Sequence, residues 1–159
     1  MSLSGGIKRS LDELLPQAKP MILLSDYDLP QDGKPVRAYV DIEKTSPFFE
    51  NEVGGVPSCV VLEYMAQTMA LYTGLERVRQ GACPQVGFIL GSRRIDIEIP
   101  VFELGARYCI EVVCSFTDES FASFECTVYS PSGQDVAHGV LSAFRPDGEL
   151  TPQKLEEFK

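Results

Sequence analysis

A carboxylate and an amide lie one helical turn apart in the most apolar segment of the chain. The segment VPSCVVLEYMAQTMALY, residues 56–72, has the composition of a helix that is apolar on almost every side, yet it contains Glu63 and Gln67. Removing a carboxylate from water costs roughly several kcal/mol of free energy unless the group is paired or protonated. Glu63 is therefore a candidate for acid–base chemistry. Gln67, at i+4 on the same face, cannot titrate but can orient the carboxylate or a loop.

The overall composition limits the classes of function. A length of 159 residues with 44% hydrophobic residues fits one globular domain with a real core. The net charge of −9 argues against nucleic-acid binding, which needs a basic face. No run approaches the roughly 18 apolar residues of a membrane span, and the N-terminus lacks the apolar core of a secretory signal. We therefore predict a cytoplasmic protein with no membrane or nucleic-acid partner.

Cysteine and histidine usage argues against metal and disulfide chemistry. The five cysteines are odd in number and form no C-x-x-C pair, so neither a disulfide framework nor a zinc site is predicted. His138 is the only histidine. Phosphate-binding and dinucleotide-binding glycine motifs are also missing from the sequence. We expect no metal and no cofactor.

The elements that position Glu63 can be predicted from local patterns. The motif SLDE predicts a short capped helix beginning at Ser10. MILLSDYDL and VRAYVDIE have the composition of strands joined by a turn. After a glycine-containing loop, one helix is predicted from Pro57 or Ser58 to about Gln80. Four further strand-like runs follow, and VFELG, DE and SGQ are predicted as the turns between them.

The order of these elements predicts an α+β fold. Four consecutive strands with short turns favour an antiparallel meander. The long helix is too apolar for a surface helix, so it is best buried by an antiparallel sheet of about six strands wrapped around it, which is the hotdog fold. We expect a single domain over residues 9–147. A disordered or cloning-derived leader would precede it at residues 1–8, and a polar tail or short helix would follow at residues 148–159.

Several segments carry a resemblance to a known family. LLPQAKPMILLSDY, SPFFENE, VPSCVVLEYMAQ, VGFILGSRRIDIEIPVFELG and AHGVLSAFRP together resemble the FabZ-type 3-hydroxyacyl-[acyl carrier protein] dehydratases, and more nearly their ApeP-like branch, associated with aryl-polyene biosynthesis. The resemblance implies a dimeric hotdog enzyme with a tunnel at the dimer interface for the acyl-phosphopantetheine arm. VVLEYMAQ matches the family pattern L-x-x-E-x-x-x-Q, which implies that Glu63 is the catalytic glutamate and that Gln67 is the glutamine.

The family's loop histidine has no counterpart in this chain. FabZ-type loops read F-F-x-G-H-F-P, whereas this loop reads FFENEVGGVP and places Glu52 at the histidine position. The histidine of the family's L-P-H opening is replaced by Gln17. Dehydration needs a base for the α-proton and an acid for the leaving hydroxyl. The candidates for the base are His138 and Glu52, since two carboxylates brought together can supply an acid and a base.

Backbone groups near the start of the long helix are candidates for binding the substrate. The N–H groups of Ser58, Cys59 or Val60 could stabilise an enolate-like oxygen at the helix N-terminus. Gly54 and Gly55 would let the preceding loop approach closely. The predicted substrate-binding residues are Gly54, Gly55, Pro57, Ser58, Cys59, Gln67 and the apolar pair Phe88 and Ile89 that begins the next strand.

We therefore predict a dehydratase that removes water from a 3-hydroxyacyl thioester on an acyl carrier protein to give a 2-enoyl thioester. The alternatives are a hotdog acyl-thioesterase and a non-catalytic acyl-binding or partner subunit. Arg77, Arg79, Arg93 and Arg94 form a candidate docking patch for an acidic carrier protein. Because sheet edges need a cover, we expect a homodimer or a hotdog hetero-oligomer.

Overall fold

The computed structural model of the protein describes residues 6–146. The predicted tail at residues 148–159 and residues 1–5 of the predicted leader lie outside this range. In chain order the elements are helix α1 (Leu11–Leu14), strands β1 (Asp26–Tyr27), β2 (Val36–Asp41) and β3 (Gly55–Pro57), a 3₁₀ turn (Ser58–Val60), helix α2 (Val61–Arg79), and strands β4 (Phe88–Ile97), β5 (Val101–Glu103), β6 (Arg107–Thr117), β7 (Phe121–Tyr129) and β8 (Asp135–Phe144).

Six strands form one antiparallel sheet in the order β1-β2-β6-β7-β8-β4, and β3 pairs with β5 separately. With α2 packed on the sheet, this arrangement confirms the predicted α+β fold with six antiparallel strands. The predicted four-strand meander is wrong at its first member, because β4 pairs with β8 and not with β6. The segment VFELG, predicted as a turn, contains β5, and the pairing of β5 with β3 carries the chain away from β4 before β6 begins.

The first predicted strand is much shorter in the structure. MILLSDYDL contributes only β1, because the backbone N–H of Leu23 bonds to a side chain of α2, and bonding to β2 begins only at Ser25. The bond is from Leu23 N–H to Gln67 Oε1, over 2.8 Å. The short helix predicted at Ser10 is present as α1, with a capping box between Ser10 and Glu13. The segment between α1 and β1 is thereby held against the middle of α2.

Helix α2 lies against the buried face of the sheet and supplies much of the core. Its residues follow the predicted span, since the 3₁₀ turn begins at Ser58 and α2 ends one residue before Gln80. The strands that face it alternate buried and exposed side chains, as a sheet with one solvated face requires. At Gly74 the backbone of α1 comes so close that a Cβ would lie 2.1 Å from the Leu14 carbonyl oxygen. The buried residues of α2 are Val61, Tyr64, Met65, Gln67, Thr68, Met69, Leu71 and Gly74.

Strand β4 forms one edge of the six-stranded sheet. Residues 88–94 are all exposed, and two register irregularities interrupt the pairing with β8. An edge strand presents unpaired backbone groups on which another strand can form. The large apolar side chains at this edge are exposed by 37–57%, and they are Val86, Phe88, Ile89, Leu90 and Ile97.

Candidate active site

Gln67 joins the helix, the loop before β1 and the candidate carboxylate. Its Oε1 accepts the Leu23 N–H over 2.8 Å, and its Nε2 donates to the Met21 carbonyl over 2.6 Å and to Glu63 Oε1 over 2.8 Å. The side chain is completely buried. Its amide therefore fastens residues 21–23 to α2 and fixes one oxygen of Glu63, while the side chain itself lies behind the cavity surface.

Glu63 is half-buried and lines a cavity of about 170 Å³ between α2 and the sheet. Most of the wall is apolar, and Glu63 and Arg145 are its only titratable side chains among the described residues. The remaining lining residues are Pro16, Gln17, Ala66, Met69, Ala70, Thr73, Gln85, Gly87, Ile89, Ala122, Phe124 and Ala143.

A second, polar cavity of about 290 Å³ adjoins the first, because Gln85 and Arg145 line both. Its other walls carry two carboxylates and two further polar side chains near the end of α2. The Glu63 cavity is therefore an apolar chamber with a polar, charged mouth, and this shape suits a long molecule with an apolar end and a polar end. The residues that line the mouth but not the chamber are Glu76, Arg77, Gln80, Glu119 and Pro146.

A larger cavity of about 690 Å³ lies elsewhere, between residues 6–10 and the C-terminal half of α2. It contains Glu13 and Arg79 on an otherwise mixed wall but neither Glu63 nor Gln67. Volume alone does not make a reaction site. The smaller cavity is the candidate active site, because there a carboxylate is oriented by a buried amide next to apolar walls.

His138 lies on the solvated face of the sheet, opposite to α2. Its Nε2 is 3.4 Å from Asp96 Oδ2 on the neighbouring strand, and the side chain is 55% exposed. The buried face of β8 is formed by Ala137, Gly139 and Leu141. Within the described structure His138 is therefore separated from the site of Glu63 in the fold, because it lies on the opposite face of the sheet. His138 lines neither the chamber nor its mouth.

The loop that carries Glu52 is anchored but does not reach the cavity. Glu52 is exposed in the turn closed by the bridge between Glu50 and Gly55. Gly54 has a positive φ of 70°, as the turn requires. A Cβ on Gly55 would lie 2.1 Å from the Phe102 carbonyl oxygen, so this glycine permits the close approach of β3 and β5. In this structure both glycines shape the loop.

The start of the long helical region offers one backbone donor fewer than predicted. Ser58 N–H donates to the Pro100 carbonyl over 3.1 Å, so it is occupied. Pro57 is extended and ends β3, while Cys59 next to Ser58 is exposed. Neither Ser58 nor Cys59 lines the chamber or its mouth. Ile89 lines the chamber, whereas Phe88 does not.

Tyr72, which contacts the chamber residue Phe124, is not a base. The two rings pack edge-on with their centroids 5.2 Å apart. Burial, together with the neighbouring Glu76 carboxylate, raises the pKa of Tyr72 well above its usual value. Its hydroxyl therefore stays protonated at physiological pH. Burial also raises the pKa of the nearby Cys114 thiol, which is therefore a poor nucleophile.

Sequence reasoning missed four polar residues of the chamber, which are Gln17, Thr73, Gln85 and Arg145. The sequence does contain a signal for Gln17, because this residue stands where the family has a histidine. Arg145 follows β8 in a segment without a recognisable motif. In residues 6–146 no cluster of three His, Cys, Asp or Glu side chains could hold a metal ion. No helix in the same range is long and apolar enough to cross a membrane.

A six-stranded antiparallel sheet on one long helix, with a helix carboxylate facing a chamber between them, defines a protein of the hotdog class. The chain belongs to the ApeP-like family, described as ApeP dehydratase, whose model matches residues 9–156. It is similar to a solved structure described as the dehydratase heterocomplex ApeI:P from Xenorhabdus doucetiae. The identity is 26%, the TM-score is 0.84, and the match covers 96% of this chain and 98% of that chain.

More distant solved structures share the fold. The PaaI protein from the phenylacetic acid degradation operon of E. coli has 11% identity and a TM-score of 0.57, over 76% of this chain and 82% of that chain. A hypothetical thioesterase from Streptococcus pneumoniae, solved with coenzyme A, has 15% identity and a TM-score of 0.55, over 81% and 91%. These similarities show the hotdog fold alone. A comparison with curated proteins finds no match.

Proposed function

We propose that this chain is a cytoplasmic 3-hydroxyacyl-thioester dehydratase that acts on acyl chains carried by an acyl carrier protein. The observation that carries the proposal is the Glu63 carboxylate, fixed by Gln67 over 2.8 Å at the wall of an apolar chamber. Membership of a dehydratase family supports the reaction type. The polar mouth, which holds Arg77 and Arg145 beside Glu76 and Glu119, suits the polar carrier arm.

The reaction needs two protein groups with opposite roles. A base removes the proton from C2 of the acyl chain, and the electron pair of that C–H bond forms the C2–C3 double bond. The C3–O bond breaks as Glu63, in its acid form, gives a proton to the hydroxyl, which leaves as water. Gln67 holds Oε1 of the carboxyl group, so Oε2 is the atom that acts on the substrate. The proton taken by the base later restores the acid form of Glu63.

A base is the group that the described residues do not bring to Glu63. The chamber holds no titratable side chain besides Glu63 and Arg145 among the described residues, and His138 lies on the opposite face of the sheet. A second copy of this chain would carry no other histidine. We therefore propose that a different hotdog subunit supplies the base across the exposed β4 edge, in a hetero-oligomer. The competing source is Glu52 from a second copy of this chain, in a homodimer.

Mass spectrometry of a 3-hydroxyacyl-acyl carrier protein tests this proposal. The chain is assayed alone and as a complex with a hotdog dehydratase subunit that retains the loop histidine. We expect loss of one water in the complex only, and no effect of Glu52→Gln. Full activity of the chain alone, abolished by Glu52→Gln, would place the base in a homodimer. A substrate unchanged by the complex would refute the dehydratase proposal.

A thioesterase is the second candidate, because one carboxylate in a chamber is enough to activate a water molecule. The same reaction mixtures distinguish the two activities, since hydrolysis releases a free thiol and dehydration does not. We expect a 2-enoyl thioester without thiol release. Thiol release from saturated acyl thioesters, abolished by Glu63→Gln, would favour the thioesterase.

A further inference from the structure

Two polar side-chain atoms in the described part of the chain are buried without a hydrogen-bond partner. They are Gln17 Oε1 and Arg145 Nε. Both residues line the chamber that contains Glu63. An unpaired buried polar atom destabilises a protein, because the atom has lost its bond to water and gained none. Their presence in the same small chamber makes it a candidate binding site for a molecule that completes their bonds.

The chemistry of the two atoms describes that molecule. Gln17 Oε1 can only accept a hydrogen bond, and Arg145 Nε–H can only donate one. Arg145 also lines the polar mouth, through which a carrier arm would enter. The remaining wall near Gln17 is largely apolar, with Ala66, Met69 and Ile89. The guest therefore needs a hydrogen-bond donor for Gln17 and a hydrogen-bond acceptor for Arg145 on an otherwise apolar chain.

We propose that Gln17 is the residue that selects hydroxylated acyl chains, with its Oε1 accepting a hydrogen bond from the 3-hydroxyl of the substrate. This inference rests on the proposed function for the identity of the guest, and it adds the group that distinguishes the substrate from a saturated acyl chain. A site built to bond a hydroxyl rejects the analogue that lacks it, because the buried acceptor is then left unpaired. Gln17 would place the hydroxyl, and Glu63 would protonate it.

Binding measurements with a matched pair of ligands test the proposal. The ligands are 3-hydroxyhexanoyl-pantetheine and hexanoyl-pantetheine, titrated into the full chain and into its complex with the histidine-bearing subunit. We expect wild type to bind the hydroxylated ligand about tenfold more tightly, the effect of one neutral hydrogen bond. Gln17→Met should abolish this preference while binding the saturated ligand as before.

Gln85→Met is the matched control. Gln85 lines the same chamber, but its Nε2 already donates to the Pro146 carbonyl over 2.7 Å, so this variant should keep the tenfold preference. The unliganded proteins give a second readout by urea denaturation. Gln17→Met should raise the midpoint, because it removes an unpaired acceptor, whereas Gln85→Met should lower it. A purely structural role of Gln17 predicts a lower midpoint for both variants.

The outcomes separate this inference from the proposed function. A preference that survives in Gln17→Met, a wild type without any preference, or a lower urea midpoint for Gln17→Met would each overturn the role of Gln17. None of these results requires turnover. If the complex released no water from the carrier-bound substrate but Gln17→Met abolished the preference, the dehydratase proposal would fail and the selection of hydroxylated chains would stand.

Discussion

Replacing Gln67 by leucine should both destabilise the fold and misplace Glu63. Leucine nearly fills the same space but removes three hydrogen bonds, of 2.8, 2.6 and 2.8 Å. The Leu23 N–H loses its partner in a buried position, and a buried unsatisfied group costs roughly 1–3 kcal/mol. The Met21 carbonyl loses its donor too, but the Met21 residue is exposed and can reach water. We therefore expect the free energy of unfolding to fall by about 2–4 kcal/mol, out of the roughly 5–15 typical of a domain.

Urea denaturation followed by circular dichroism measures this change. Gln80→Leu is the matched control, because Gln80 is exposed at the end of α2 and should change the free energy by less than about 0.5 kcal/mol. Gln67→Glu should keep the bond from Leu23 N–H but place two carboxylates together. Its free energy of unfolding should therefore be lower than that of wild type, and this difference should shrink as the pH is lowered. A Gln67→Leu variant as stable as the control would refute the role we give to this amide.

Three further predictions concern the packing and the charges around the site. Gly74→Ala should lower the free energy of unfolding by about 1–3 kcal/mol, measured in urea, because its Cβ would meet the Leu14 backbone. Iodoacetamide at pH 8 should label the exposed Cys59 and leave Cys126 unlabelled in peptide mass spectra, since burial raises the pKa of Cys126 to about 12. The hydrogen bond from the Lys8 ammonium holds the pKa of Asp26 below its usual 3.8, so Asp26 stabilises the fold above that pH and ceases to do so as the pH falls through its lowered pKa. The urea midpoint of Asp26→Asn should therefore decrease less between pH 5 and pH 3 than the midpoint of wild type. An equal decrease in both proteins would contradict this reasoning.

The helix and its polar pair could be predicted from the sequence because their determinants are local. Hydrophobic residues on all sides of residues 56–72 require burial, and the spacing of Glu63 and Gln67 places both on one face. The bonds from Gln67 to residues 21–23 could not be predicted, because they join segments more than forty residues apart in the chain. The same contacts explain why the predicted first strand shortens to β1.

The pairing of β4 and the orientation of His138 depend on tertiary structure. Short turns favoured a meander, but β5 bonds to β3, and β4 instead takes the edge beside β8. Alternation assigns the residues of β8 to two faces, yet it does not say which face meets α2. His138 lies on the solvated face with Asp96. The candidate base His138 therefore lies on the face away from Glu63. Which face of β8 is buried is set by tertiary packing and cannot be predicted from a local pattern.

The most direct test of the proposed reaction is the rate of water loss from a 3-hydroxyacyl-acyl carrier protein in the complex, measured by mass spectrometry for wild type and Glu63→Gln. Glutamine has nearly the same shape, so the chamber should stay intact while the proton donor is lost. We expect the rate to fall by roughly 10²–10⁴-fold, the usual contribution of one acid–base group. A Glu63→Gln complex that releases water within about twofold of the wild-type rate would contradict the assignment of Glu63 as the catalytic acid.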